Sequence, residues 1–110
     1  MKSLLILGAG GFGRMVKETA QALGYEKVVF LDDAVKSDDV IGMCCDYVIR
    51  HDEYQVAVAA FGNNKTRLYW TDKLLEEGYE VPAIVHPSAI VSPSAVLEPG
   101  CFVMQRAVVN

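Results

Sequence analysis

Gly8-Ala9-Gly10-Gly11-Phe12-Gly13 is the stretch of this sequence best suited to holding a ligand. Glycines let a backbone approach an anion closely. Where such a loop opens a helix, unpaired N–H groups and the positive end of the helix dipole point at the anion. The pattern G-x-G-x-x-G carries that meaning between a buried strand and an amphipathic helix, and both flank it here. Asp32 stands nineteen residues past Gly13, at the end of the next apolar run. A carboxylate there can accept from a ribose hydroxyl or a base N–H, and Asp33 adjoins it. The diphosphate of a nucleotide fits these residue types. The pattern alone leaves NAD, FAD and a nucleotide sugar open, along with the alternative that Gly10 and Gly13 only let helix and strand pack closely.

A second candidate is Gly62-Asn63-Asn64, which ends another apolar run and so falls on the same sheet edge as the glycine loop. Asn63 can present an amide to a base or phosphate, and Arg67, one turn into the following helix, can face an anion. The competing reading is helix capping, expected of Asn64, with Arg67 solvated. His51 lies in a charged stretch and reads as a solvated loop residue, while His86 precedes Pro87 and reads as a junction residue. No catalytic residue and no metal site is therefore expected within these residues. Cys44, Cys45 and Cys101 are odd in number and lack metal-ligand spacing, and vicinal Cys44 and Cys45 resist bridging. Reduced thiols packed as small hydrophobes in a cytoplasmic setting are the expectation.

The elements that must position these groups follow from periodicity. Residues 2–7 carry the unbroken aliphatic run Leu4-Leu5-Ile6-Leu7, as in a strand buried on both faces of a parallel sheet. Phe12, Met15, Val16, Thr19, Ala20 and Leu23 share one face of a helix that ends at Gly24. Residues 28–31 make a second strand, completing a βαβ unit with a right-handed crossover. Residues 34–39 read as an acidic surface loop and 40–49 as a short strand or turn. A central strand is expected over 55–61, a helix over 65–77 stopped by Gly78, and another strand over 81–85.

Beyond residue 82 the period changes. Ile84, Ile90, Val96, Phe102 and Val108 recur every six residues, each after a small residue: Ala83, Ala89, Ala95, Cys101 or Ala107. Six fits neither a helix nor a two-sided strand. It fits a solenoid in which each face takes one hexad and points one apolar side chain into a narrow interior. Arg106 places a charge where the repeat has a small residue and is expected to mark fraying. The fold class is α/β: a small doubly wound, Rossmann-like parallel sheet over 1–82, followed by the first hexads of a parallel β-helix over 83–110. A length of 110 residues allows one domain or one domain plus part of another. The net charge of −4 gives no footprint for nucleic acid, and no apolar run approaches the ~20 residues of a membrane span.

Together the two halves resemble the hexapeptide-repeat sugar acyltransferases, in particular those that N-acetylate UDP-4-amino sugars for surface glycans and the related sialic acid O-acetyltransferases. The resemblance is carried by Leu4-Leu5-Ile6-Leu7 with the glycine loop, Phe30-Leu31-Asp32-Asp33, Phe61-Gly62-Asn63-Asn64 with Arg67, and Ile84-Val85-His86-Pro87-Ser88-Ala89. It implies a UDP-linked amino sugar held by Gly8, Gly10, Gly11, Phe12, Gly13, Asp32, Asp33, Gly62, Asn63 and Arg67. The diphosphate would lie near the loop glycines and the uridine near the two aspartates. It also implies a left-handed β-helix that forms a homotrimer, binds acetyl-CoA between coils and supplies a histidine as general base. Many relatives carry histidine where this chain has Phe12, and their catalytic histidine falls beyond Asn110. This chain is accordingly expected to bind the nucleotide sugar without catalysing transfer. Two alternatives stand beside it: a non-catalytic nucleotide-binding or assembly module, and the NAD-binding domain of a small oxidoreductase.

Overall fold

A computed structural model describes residues 2–110. Strand β1 (Ser3–Leu7) supplies the centre of the core, with Leu4, Leu5, Ile6 and Leu7 wholly buried. It pairs in parallel with β2 (Lys27–Leu31) on one side, Leu5 opposite Val29, and with β4 (Ala57–Ala59) on the other, Leu5 opposite Ala57. β3 (Val40–Gly42) lies outside β2, with a register shift between Phe30 and Leu31. The order β3-β2-β1-β4 is the doubly wound arrangement expected. The strand read over 55–61 is shorter than its apolar run. It is also the last of the four, flanked on its outer side only by a single bridge from Val56 to Glu80. The strand expected over 81–85 is not one element. Pro82 has no N–H to continue the ladder, so pairing on this sheet stops at Glu80 and resumes elsewhere at Ile84.

Helix α1 (Gly11–Ala22) packs on β1 and β2, and α3 (Asn64–Glu77) packs on β4. Because the chain leaves β1 in one direction and β4 in the other, right-handed crossovers put these helices on opposite faces of the sheet. Val16, Thr19 and Ala20 form the buried stripe of α1, whereas Met15, expected on that stripe, is half exposed. Both helices close on left-handed glycines, Gly24 and Gly78. The region 40–49 holds more than a strand or turn: after β3, a 3-10 turn at Cys44–Asp46 leads into the short helix α2 (Tyr47–Arg50). Asp46 organises the turn by accepting from the Met43 N–H.

In the C-terminal hexads, β5 (Ile84–Val85) pairs in parallel with β7 (Phe102–Val103), and β6 (Ile90–Val91) with β8 (Val108–Val109). In both pairs the partners are eighteen residues apart, so three hexads bring the chain back above itself. The expectation that every hexad residue points into a closed interior is corrected. Ile84 is buried and Phe102 half-buried, but Ile90, Val96 and Val108 are 66%, 84% and 61% exposed. Ile84 and Phe102 sit where the hexads meet α1, which covers them. Arg106 does not fray the repeat. It adopts φ 60, its N–H donates to Ser88 Oγ at 2.8 Å, and β8 follows it.

Candidate functional site

The four loop glycines divide into two kinds. Gly8 has φ +103, and a side chain there would strike the Ala60 carbonyl oxygen; a Cβ on Gly13 would fall 1.9 Å from the Gly8 carbonyl oxygen. These two are glycine so that β1, α1 and the end of β4 can touch. Gly10 and Gly11 are exposed, and a Cβ on either would meet nothing within 4 Å. Gly10 is the N-cap residue in extended conformation, with no side chain capping the helix. The N–H groups of the first turn are those a helix leaves unpaired, and Gly10 and Gly11 at its start leave open space beside them. The close-packing alternative therefore holds for Gly13 and fails for Gly10.

Asp32 lies beneath this loop. Its Oδ2 accepts from the Ala9 N–H at 2.8 Å, and its Oδ1 accepts from the Ala34 and Val35 N–H groups, each at 2.8 Å. Burial pushes its pKa up, but the bonds from Ala9, Val35 and Ala34 and the nearby Lys36 outweigh that, and the net shift is downward. The carboxylate expected to face a ribose is thus engaged mainly by its own backbone. Asp33 is exposed, and its Oδ1 accepts from the Cys44 N–H at 2.9 Å.

On the neighbouring strand end, capping falls to Asn63 and not Asn64. Asn63 Oδ1 accepts from the Thr66 N–H at 3.0 Å, as its position immediately before the helix requires. Asn64 instead accepts from Arg67 Nη2 at 2.7 Å, which corrects the reading of Arg67 as simply solvated. Gly62 is exposed, with open space where a side chain would stand. Arg67 and Phe12 come together across a cleft of about 280 Å³, walled by Thr71 on α3 and by Gly100, Cys101 and Phe102 from the hexads. Phe12 and Phe102 meet edge to face there. A hollow of about 350 Å³ beside Ser3, Glu53 and Glu80 lies at the amino end of β1. Ligands of open α/β sheets bind at the carboxyl ends of the strands, so the glycine-loop edge and its cleft are the candidate site.

Phe102 and Thr71 were not legible as wall residues, since their partners come from another part of the chain. An aromatic among aliphatic hexad residues was the one available signal for Phe102. Asp39 was missed as well: it accepts from Arg14 Nη2 at 2.9 Å and from Lys17 Nζ at 2.7 Å, tying α1 to the loop before β3. His51 is not a solvated loop residue, because its ring lies 4.3 Å from that of Tyr79 and Nδ1 is 3.9 Å from Glu77 Oε1. His86 Nδ1 accepts from the Ser88 N–H at 3.0 Å, in keeping with a junction residue.

This geometry has close relatives. The PglD N-terminal domain family matches residues 3–74. The acetyltransferase domain of PglB from Neisseria gonorrhoeae FA1090, solved in complex with acetyl coenzyme A, is 39% identical with a TM-score of 0.88, covering 97% of this chain and 55% of that one. PerB from Caulobacter crescentus, in complex with CoA and GDP-perosamine, is 30% identical with a TM-score of 0.86, covering 100% and 55%. A mutant of perosamine N-acetyltransferase from the same organism, also with CoA and GDP-perosamine, is 27% identical with a TM-score of 0.92 over the same shares. The chain thus spans about half the length of these solved relatives. With its glycine-loop sheet matched by the family and nearly all of its residues superposing on these enzymes, the chain belongs to the sugar acetyltransferase family and carries its PglD N-terminal domain.

Proposed function

We propose that this chain is the nucleotide-sugar-binding portion of an acetyl-CoA-dependent sugar acetyltransferase. The observation that carries the reading is the open first turn of α1, where Gly10 and Gly11 leave room for a diphosphate on the sheet edge at which such folds take ligands. The nucleoside then extends toward Asp32 and Asp33, and Phe12, Gly62, Asn63 and Arg67 border the sugar. An amino sugar is favoured over a hydroxyl acceptor because PerB is described with GDP-perosamine. That complex puts GDP beside UDP as the nucleotide to test.

The eighteen-residue pairing of β5 with β7 and β6 with β8 supports the further reading that residues 83–110 begin a left-handed parallel β-helix. The exposed Ile90, Val96 and Val108 support assembly through that coil, as a homotrimer. In this reading acetyl-CoA binds between successive coils. These residues bind and orient the acceptor sugar. No helix among the described residues is long and apolar enough to cross a membrane.

Calorimetric titration with UDP, GDP, NADH and acetyl-CoA tests the proposal. Saturable binding of UDP or GDP without a NADH signal is the expected result. Binding of NADH alone returns the glycine loop to dinucleotides and sinks the acetyltransferase reading of this site.

A further inference from the structure

We propose that Asp32 is a positioning residue, which holds the glycine loop in its binding shape through the Ala9 N–H, and that the acceptor offered to the nucleoside is Asp33. This rests on the nucleotide-binding reading above. Ala9 is almost fully buried and stands between Gly8, at positive φ, and the open Gly10. Its N–H has Asp32 Oδ2 as acceptor at 2.8 Å. A carboxylate has about four acceptor sites, and three of those on Asp32 are taken by Ala9, Ala34 and Val35. Turning Asp32 toward a ribose would strand the buried Ala9 donor, a loss that the new bond would have to exceed. Asp33 is less committed, with one backbone donor against three. It is exposed, its backbone bond from the Cys44 N–H goes to Oδ1, and Oδ2 is left to turn toward a ligand.

The substitution Asp32→Asn isolates the latch. Its remaining oxygen can still accept from Ala34 and Val35, but the amide nitrogen cannot accept from Ala9. It also removes a negative charge beside the diphosphate position, which by electrostatics alone tightens anion binding. Positioning and direct contact therefore predict opposite signs for pyrophosphate, a ligand with no ribose.

The experiment titrates the wild type, Asp32→Asn and Asp33→Asn with pyrophosphate and with whichever of UDP or GDP the wild type binds, and follows amide exchange by NMR. Asp32→Asn is expected to weaken both ligands by a similar factor, about tenfold. Asp33→Asn is expected to weaken the nucleotide alone. The Ala9 amide should exchange faster in Asp32→Asn while Ala34 and Val35 keep their protection. In the wild type, Ala9 should stay protected at saturating nucleotide. Unchanged or tighter pyrophosphate binding by Asp32→Asn overturns the proposal, as does loss of Ala9 protection when the nucleotide is added. If Asp32→Asn does not fold, the wild-type Ala9 exchange decides alone. A wild type that binds neither nucleotide sinks the functional reading itself, an outcome distinct from a failed latch.

Discussion

The Phe12 ring stands edge-on to Phe102, with centroids 5.2 Å apart and planes at 81°. One residue opens the glycine-loop helix and the other belongs to the hexads, so this contact joins the two halves at the mouth of the cleft. Edge-to-face pairs contribute about 0.5–1.5 kcal/mol beyond simple burial. A double-mutant cycle with Phe12→Ala and Phe102→Ala, read by urea unfolding, should return a coupling energy in that range. Additive losses would mean that the rings pack on other neighbours and not on each other.

The glycines make opposite predictions. Gly13→Ala forces a methyl group into the Gly8 carbonyl and should destabilise the fold by about 1–3 kcal/mol or more. Gly10→Ala meets open space and should change stability by no more than about 0.5 kcal/mol, leaving its mark on nucleotide affinity. Thermal unfolding beside calorimetry separates the two effects.

Capping divides the adjacent asparagines. Asn63→Ala removes the acceptor of the Thr66 N–H and should cost about 1 kcal/mol. Asn64→Ala loses an exposed bond to Arg67 and should cost clearly less. Equal losses in denaturant titrations would contradict the assignment of Asn63 as the cap.

Asp39 sets a pH dependence. Its hydrogen bond from Arg14 comes first, burial opposes it, and Lys17 and Ser37 add to it; together they hold its pKa well below the ordinary 3.8. A carboxyl depressed in the folded state contributes stability that is fully present above its unfolded pKa and lost as pH falls toward the folded one. Asp39→Asn should therefore be less stable than wild type near neutrality, and the gap should narrow as pH drops below about 4. A gap that widens on acidification would rule out this ion cluster as the source.

The cysteines should differ in reactivity. Burial, then the charges of Asp33 and Asp32, push the Cys44 thiol up to about 12, so it holds almost no thiolate at neutral pH. Cys45 is exposed. A thiol reagent followed by peptide mapping should label Cys45 quickly and Cys44 only on unfolding. Early labelling of Cys44 would show that the turn over Cys44–Asp46 opens readily.

Much of the sheet could be read from local pattern, because burial on both faces writes itself as uninterrupted aliphatic runs at residues 4–7 and 57–59. The helix stops were legible from Gly24 and Gly78 for the same local reason. What escaped depends on partners distant in sequence. Asp39 looks like one acid in an acidic loop until the crossover brings Arg14 and Lys17 over it. His51 looks solvated until Tyr79 arrives beneath its ring. At the candidate site, the glycine pattern marked the candidate edge but could not separate packing glycines from open ones, since that division is made by the Ala60 and Gly8 carbonyls. Spacing likewise marked Asp32 as important without revealing that its first obligation is to Ala9.

The return of the chain on itself every eighteen residues also defines a ruler. Parallel strands stack about 4.8 Å apart, so one further turn of this kind would raise a side chain by that step without rotating it about the coil axis. Six residues more or fewer would instead carry it round to the next face. The position of any group along the stack of paired strands is thereby quantised, and its compass bearing is set separately. An insertion of eighteen residues would move a group one step along the stack while keeping its direction.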